Sequence, residues 1–308
     1  MAPARSDTGG VVKVGDFFEG IEQVQLKVDG GKARFPIFYR DARGVVLLLS
    51  ANLLKLRRML PDPRFIPAQL APGVGALALA AFEYYETDIG PYNEFQIGIL
   101  LNAPYYAGVP CYNVMRQYLD RMYSIYVHRL PVTTEIALRA GIDFYNYPKF
   151  IGGIEFGDQA SRVDCDLSRD GERILSISGA KVPTRAVGEM RFLTNLFHFR
   201  QPQAAEFKVN VQEGAICWMP RDVSWWFNTS NEIGAELSGA VLGSRAAMYL
   251  YMPKIQCVLY GPEHVPMPLL QRVVTSEGFL PGAAAHAAKK PAAKKKAARK
   301  PPGPKSAG

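Results

Sequence analysis

Hydrophobic and polar residues alternate over many short stretches of this chain, which is the pattern of β-strands with one buried face. The alternation predicts a hairpin of residues 163–167 and 174–178, and a second of residues 207–211 and 215–219, each with a glycine at its turn. A further turn is predicted at residues 41–44. Other apolar stretches predict strands at residues 32–39, 45–49, 74–86, 94–101, 124–130 and 255–260.

Helical signals are fewer than strand signals. A short basic helix is predicted at residues 53–60, capped by Ser50 or Asn52. A second helix begins at its cap, Asn113, and a third ends at Gly141, the usual C-terminal position of glycine. Many short strands with few helices favour a mainly β (α+β) fold, in the form of a largely antiparallel barrel or sandwich within one domain.

The net charge of +8 comes from one end of the chain. Residues 281–308 contain eight lysines and arginines and no acid, and removing them leaves 28 basic and 28 acidic residues. We therefore divide the chain into a flexible arm (1–15), a folded domain (16–280) and a disordered Lys/Ala/Pro-rich tail. The tail is either a solvated extension or a weak, salt-sensitive contact for a polyanion such as nucleic acid.

Composition and motifs argue against several classes of function. The four cysteines lie far apart, the four histidines share no ligand spacing, and there is no nucleophile elbow, P-loop or dinucleotide fingerprint. The residues therefore give no support to a metal site. The N-terminus lacks the apolar segment of a signal peptide, and no apolar stretch is long enough to span a bilayer. The expected location is the cytoplasm, without a membrane partner.

The stretch Tyr147-Pro148-Lys149 sets one lysine among apolar residues after a proline. Lysine is seldom fully buried without a partner. In a dry pocket, desolvation disfavours the ammonium and exposes a nucleophilic amine, which can form a Schiff base with a ketone. The alternative is a solvated strand lysine.

Other charged residues offer partners for this amine. Glu83 and Glu94 lie among aromatic residues on neighbouring predicted strands, where a carboxylate can transfer protons or orient a substrate. On the residues alone, the favoured interpretation of each is a surface strand carboxylate or half of a salt bridge. Lys32 and Arg34 can hold a substrate carboxylate, or can simply keep an edge strand soluble.

These segments together resemble the acetoacetate decarboxylase superfamily. The resemblance runs over residues 30–262 and includes a divergent branch of that superfamily. It is carried by Tyr147-Pro148-Lys149, by the short helix and Pro-x-Pro loop at residues 56–63, by Phe82-Glu83, by Tyr92-Asn93-Glu94, by Tyr39-Arg40, by Met252-Pro253-Lys254, and by residues 88–94 and 128–134.

The resemblance implies a cone-like antiparallel β-barrel with a few peripheral helices. It also implies a lyase in which Lys149 forms an imine with acetoacetate or a related β-keto acid, and the iminium serves as the electron sink without a cofactor. Glu94 and Glu83 would move protons or position substrate. Lys32, with Arg34 nearby, would take the place of a substrate-binding arginine, and Tyr92 would touch substrate. Relatives assemble into homo-oligomers, so the same is expected here.

One departure from the family pattern concerns Phe150. The family has a second lysine directly after the catalytic one, and this chain has Phe150 in its place. A phenylalanine facing the pocket would increase desolvation and contact substrate, whereas one on the opposite strand face would affect Lys149 little. Imine formation by Lys149 is compatible with both orientations of Phe150. Two alternatives to decarboxylation therefore stay open: a Schiff-base aldolase or dehydratase acting on a longer keto acid, and a non-catalytic barrel that binds a small molecule.

Overall fold

The computed structural model describes residues 16–28, 31–103, 106, 109–198 and 201–261, and the backbone of 273–275 and 278–280. The described residues form four helices: α1 Leu53–Met59, α2 Tyr112–Leu119, α3 Glu135–Tyr145 and α4 Glu232–Ala240. The strands, in chain order, are β1 Val24–Val28, β2 Gly31–Phe35, β3 Ile37–Asn52, β4 Gln69–Ala71, β5 Val74–Thr87, β6 Tyr92–Leu100, β7 Met122–Val132, β8 Lys149–Ile151, β9 Gly153–Asp158, β10 Arg162–Arg169, β11 Glu172–Ala180, β12 Gly188–His198, β13 Gln201–Trp218, β14 Val223–Phe227, β15 Met248–Leu259, β16 Val273–Thr275 and β17 Gly278–Leu280.

Seven strands close into a barrel, in the order β12-β13-β15-β3-β5-β6-β7 and back to β12. Neighbouring strands are antiparallel except at the closing seam, where β7 and β12 run parallel. The predicted mainly β fold, an antiparallel barrel with a few helices, is confirmed.

The edge of β7 opposite β6 is shared between two parallel partners. Residues 122–126 of β7 pair with β12, and residues 130–132 pair with the short strand β8. Strand β8 therefore begins where β12 has left the edge of β7, and its first residue is Lys149.

Two hydrophobic cores lie on the two faces of the barrel wall. One fills the interior and contains Tyr39, Phe82 and Tyr84. The other includes Phe95 and Ile177, and lies between the barrel and a second sheet of order β14-β11-β10-β9. Because side chains alternate between the faces of a strand, a single strand such as β6 contributes to both cores.

Two predicted turns are wrong because the strands bend through them. Residues 41–44 lie within the continuous strand β3, whose pairing with β5 shifts register around Asp41. Gly44 is required there for close packing, since a Cβ atom would lie 2.6 Å from Cδ1 of Phe82. The predicted turn near Gly214 also lies within a single strand, β13, whose pairing with β15 shifts register on both sides of Glu213. In both cases a β-bulge takes the place of a turn.

The predicted helices are present with revised ends. Helix α1 is capped as predicted, since Asn52 Oδ1 accepts hydrogen bonds from the first-turn amides. Helix α2 starts from Cys111, while the Asn113 side chain instead accepts a hydrogen bond from the amide of Ala103 at 2.9 Å. Helix α3 does not end at Gly141 but continues to Tyr145.

Some elements were not predicted, and some predictions lie outside the described residues. The hairpin of β10 and β11 matches the prediction, whereas β12, β14 and α4 were missed. The predicted arm (1–15) and tail (281–308) are outside the described part of the chain and stay predictions. Within that part, no helix combines the length and apolar character needed to cross a membrane.

Candidate active site

Strand β6 brings Glu94 and Tyr92 to the interior face of the barrel wall. The antiparallel register of β5 and β6 sets Phe82 opposite Glu94 and Tyr84 opposite Tyr92. Phe95, the next residue along β6, faces the outer core. Glu94 is therefore buried among aromatic side chains of the interior, as strand alternation requires.

Lys149 reaches the same interior from the other side of β7. Helix α3 ends at Asn146, whose left-handed φ of 54° reverses the chain, and Pro148 then leads into β8. Lys149 lies opposite Leu130 of β7 in this parallel pair. The turn after α3 thus delivers the lysine directly to the barrel wall.

The amine of Lys149 meets the carboxylate of Glu94. Nζ donates to Oε2 at 2.9 Å, and the two side chains are only 5% and 12% exposed. Nζ also lies 5.8 Å from the ring centre of Tyr92, within range of a cation–π contact. Withdrawal from water strengthens every electrostatic contact at this point. The pair can pass one proton between amine and carboxylate, which is the chemistry an imine-forming lysine needs.

Phenol groups line the other side of Glu94. The hydroxyl of Tyr84 donates to Oε1 at 3.3 Å, so the two oxygens of the carboxylate have different partners. The hydroxyls of Tyr39 and Tyr92 are 3.2 Å apart. Burial, followed by the charge of Glu94, raises the pKa of Tyr39, Tyr84 and Tyr92 well above the usual value. These phenols therefore stay protonated and act as neutral hydrogen-bond donors.

Tyr147 anchors the segment before Lys149. Its hydroxyl lies 2.6 Å from Oγ1 of Thr194 on β12, and that oxygen donates its own proton to the carbonyl of Ala205 at 2.9 Å. The phenol is therefore the donor in the first contact. Burial raises the pKa of Tyr147. This chain of hydrogen bonds ties the lysine segment to the closing seam of the barrel.

Glu83 lies on the opposite face of β5 from Phe82 and Tyr84. Its carboxylate accepts from Nε of Arg43 at 2.6 Å and from the hydroxyl of Tyr85 at 2.8 Å. Arg43 also pairs with Asp158 of β9 at 2.8 Å. The structure therefore does not bring Glu83 to Lys149; the carboxylate helps to join the barrel to the second sheet.

Three predicted substrate-binding residues also lie apart from the Lys149–Glu94 pair. Lys32 and Arg34 are exposed on β2, where their register partners on β1 are Lys27 and Gln25. Phe150 points away from the interior, and its ring lies 5.0 Å from the guanidinium carbon of Arg169. Of the predicted substrate-binding side chains, only Tyr92 lies beside the amine.

The histidine and cysteine side chains of the described residues form no metal-binding cluster. No group of three or more histidines, cysteines, aspartates and glutamates with metal-binding geometry occurs in the described ranges. Cys111, Cys165, Cys217 and Cys257 are free thiols. His128 lies outside the interior and contacts Glu236 of α4 at 2.8 Å. The expectation that the reaction uses neither metal nor cofactor stays a prediction.

The aromatic run at Trp225-Trp226-Phe227 belongs to β14, an edge strand of the second sheet. Trp225 packs against the outer core, whereas Trp226 is 46% exposed and lies under the guanidinium of Arg173 at 4.8 Å. An exposed aromatic residue is compatible with a subunit interface. The expected homo-oligomer stays a prediction.

Sequence reasoning missed three residues that shape the surroundings of the amine. Tyr39 and Tyr84 were given no role beside the amine, although Tyr84 stands two residues after Phe82 and so shares its face. Gly141 was interpreted as a helix end, although it lies within α3 and directly against Lys149. Residues 142–145 are Ile-Asp-Phe-Tyr, which are not strong helix formers, so no local signal in the sequence indicates that α3 continues past Gly141.

The fold and the interior pair define a class: a closed, largely antiparallel β-barrel with one buried lysine bonded to one buried glutamate. The family model for acetoacetate decarboxylase (ADC) matches residues 28–211, more than half of the 308-residue chain. The chain belongs to the acetoacetate decarboxylase family, which includes acetoacetate decarboxylase and related enzymes. No curated protein matches the chain.

Three solved structures are similar to this chain at low sequence identity, and the first of them, with a TM-score above 0.5, has the same fold. Acetoacetate decarboxylase from Legionella pneumophila subsp. pneumophila str. Philadelphia 1 is 12% identical, with 74% of this chain and 86% of that chain covered and a TM-score of 0.51. The enduracididine biosynthesis enzyme MppR complexed with pyruvate is 15% identical, with 73% and 89% covered and a TM-score of 0.48. An acetoacetate decarboxylase-like enzyme from Sphingomonas wittichii RW1 is 14% identical, with 73% and 92% covered and a TM-score of 0.44.

Proposed function

We propose that this protein is a Schiff-base-forming lyase in which Lys149 condenses with the carbonyl of acetoacetate or a related β-keto acid. The observation that carries the proposal is the 2.9 Å contact between Nζ of Lys149 and Oε2 of Glu94, made by two almost fully buried side chains. A lysine held out of water beside a proton acceptor is the arrangement that activates an amine as a nucleophile.

The first step makes the imine. Glu94 accepts a proton from Nζ, and the freed electron pair of the nitrogen attacks the ketone carbon. The π electrons of the C=O bond move onto the oxygen, which takes a second proton from the nitrogen to give the carbinolamine. Glu94 then returns the proton to the carbinolamine hydroxyl, which leaves as water, and the nitrogen lone pair forms the C=N bond of the iminium. Tyr84 holds the second carboxylate oxygen at 3.3 Å, so Oε2 stays directed at the amine during both transfers.

The second step breaks the bond between the α-carbon and the carboxylate. Its electron pair moves toward the positively charged nitrogen, carbon dioxide leaves, and an enamine remains. The α-carbon takes a proton from solvent, and water then hydrolyses the resulting iminium to release the ketone and the amine of Lys149. Because carbon dioxide is uncharged while the carboxylate is not, an interior lined by Phe82 and by the neutral phenols of Tyr84 and Tyr92 favours the loss.

A second candidate is an imine-dependent aldolase or dehydratase acting on a longer keto acid. It is favoured by Phe150, which stands where the family pattern has a second lysine and lies against Arg169 rather than beside the amine. The imine is the same in this case, but the enamine is formed by breaking a bond to an aldehyde carbon or by losing a proton.

The test is reductive trapping. Incubation with acetoacetate and borohydride is expected to add one reduced substrate to the peptide that contains Lys149, detected by peptide mass, and Lys149→Met is expected to abolish the adduct. Lys32→Met is the matched control, since it removes an exposed lysine and should leave trapping unchanged. Release of carbon dioxide supports the decarboxylase, and release of an aldehyde supports the aldolase. If no keto acid of a panel forms an adduct, the imine proposal is wrong and the non-catalytic binding barrel is favoured.

Partners and location belong to the same proposal. We propose a cytoplasmic homo-oligomer whose tail, residues 281–308, makes at most a weak contact with a polyanion. Binding of the full-length chain to DNA that weakens steeply between low and physiological salt, with unchanged trapping at Lys149, is the expected result. Salt-independent binding would contradict it.

A further inference from the structure

Gly141 lies in the second turn of α3 and is buried against the side chain of Lys149. A Cβ atom built at Gly141 would lie 2.4 Å from both Cδ and Cε of the lysine and 3.0 Å from Nζ. Both shorter distances are below any real van der Waals contact. The lysine chain therefore occupies the space that a side chain at position 141 would need.

The backbone of α3 does not itself require a glycine at this position. Gly141 is in a right-handed helix, where its φ has no value that other residues avoid. Glycine is also among the poorest residues for a helix interior. The space left for Lys149 is thus the physical reason for glycine here.

The backbone of Lys149 is tied to the same turn of the helix. The amide of Tyr147 donates to the carbonyl of Gly141 at 3.0 Å, and the amide of Lys149 donates to the carbonyl of Tyr147 at 2.8 Å. One end of the lysine is therefore fixed by this chain of hydrogen bonds, while its methylenes lie against the bare α-carbon of Gly141. From there the side chain extends to Glu94, where Nζ donates to Oε2.

We propose that Gly141 is a positioning residue for the amine: the absence of a side chain at 141 lets Nζ of Lys149 reach Oε2 of Glu94. The methylenes of a lysine move more easily than a helix backbone, so a methyl group at 141 displaces the amine and leaves α3 in place. The expected slowing of imine formation rests on the proposed function, whereas the displacement of the Lys149 amine does not.

The test uses three glycine-to-alanine variants of the full-length protein. Gly141→Ala is expected to slow borohydride trapping by acetoacetate about a hundredfold, the cost of misplacing a reacting group by about 1 Å. The half-saturating acetoacetate concentration should stay within about twofold, and the final adduct stoichiometry should not change. A variant that merely unfolded part of the protein would instead lose stoichiometry.

Two helix glycines of α4 provide matched controls. At Gly239 a Cβ atom would meet only Nζ of Lys55, at 3.7 Å, so Gly239→Ala should raise the melting temperature and leave trapping unchanged. At Gly234 it would lie 2.1 Å from the carbonyl oxygen of Asn228, a backbone atom, so Gly234→Ala should lower the melting temperature. Trapping by Gly141→Ala at the rate of Gly239→Ala would overturn the proposal.

A double-mutant cycle of Gly141 and Lys149, measured by melting temperature, tests this proposal independently of the proposed function. In a Lys149→Ala background the lysine methylenes are gone, so Gly141→Ala should raise the melting temperature as Gly239→Ala does, whereas it should not do so beside the natural lysine. The same shift in both backgrounds would overturn the positioning role. A background-dependent shift supports it even where no keto acid forms an adduct, a result that would refute only the imine chemistry.

Discussion

Replacing Lys149 by methionine is expected to destabilise the folded protein, because it leaves the carboxylate of Glu94 buried without its cation. Methionine keeps most of the length and apolar character of the lysine stem, so the change removes the charge more than the packing. Glu94→Gln is the reciprocal change and leaves the ammonium without an anion. The double variant removes both charges together.

The size of the effect follows from burial. Breaking a buried ion pair by removing one partner costs about 3–5 kcal/mol, and the side chains here are only 5% and 12% exposed. In Lys149→Met the carboxylate keeps the Tyr84 contact, but at 3.3 Å this hydrogen bond is long and offsets little. We expect about 3 kcal/mol for each single variant, or a melting temperature lower by about 6–12 °C. The double variant is expected within about 1 kcal/mol of the natural protein.

The assay is a double-mutant cycle measured by urea unfolding. A coupling of about 5 kcal/mol is expected between the two positions, because each single variant costs about 3 kcal/mol and the double variant about 1 kcal/mol. The control cycle uses Arg139 and Glu135, which pair at 2.7 Å on the surface of α3 with 44% and 54% exposure. An exposed pair of this kind couples by only about 0.3–0.5 kcal/mol. Additive effects at Lys149 and Glu94, or single variants within about 0.5 kcal/mol of the natural protein, would refute the claim that the pair is desolvated.

Three further predictions concern Tyr84 beside the pair, Glu83 on the outer face of β5, and Glu236 of α4. Tyr84→Phe should slow trapping about tenfold and cost about 1 kcal/mol of stability, because Oε1 of Glu94 loses its donor. Glu83→Gln should leave trapping unchanged while lowering stability by about 1 kcal/mol, since its ion pair with Arg43 is only partly exposed; slowed trapping would contradict the assignment of Glu83 to the outer face. The hydrogen bond from His128 lowers the pKa of Glu236, so that interaction stabilises the fold above the unfolded-state value of about 4.3 and is lost as pH falls through the folded value. Urea titrations of Glu236→Gln between pH 3 and pH 7, a range of about 4 units chosen to bracket that value, should therefore show a shallower loss of stability in acid than the natural protein.

Lys149 and Glu94 could be predicted from the sequence, because the local residue pattern indicates the position of each on its strand. A lysine directly after Tyr147-Pro148 stands at the start of a strand, and Glu94 shares a strand face with Tyr92 by simple alternation. The same alternation explains the position of Glu83, which stands between two interior aromatic residues and must face outward. Applied to strand β5, alternation directs Glu83 away from the interior, whereas sequence reasoning had treated Glu83 and Glu94 alike.

Other features depend on contacts between distant segments. Residues 41–44 have turn-forming composition, yet β3 continues through them because β5 and β15 pair along both of its edges. Pairing on two sides overrides a local turn preference. The room that Gly141 leaves for Lys149 is likewise invisible until the helix and the strand that follows it are folded together.

The parallel seam between β7 and β12 has a consequence for how the barrel assembles. Arg191 pairs with Met122, and all of α3 and β8–β11 lie between the two strands in the chain. Pairing of segments so distant in sequence is slow, because the loop-closure entropy must be overcome before the contact forms. Until β12 docks, Tyr147 lacks the contact with Thr194 that ties the lysine segment to the seam. The seam that completes the barrel therefore also completes the anchoring of the segment that carries Lys149.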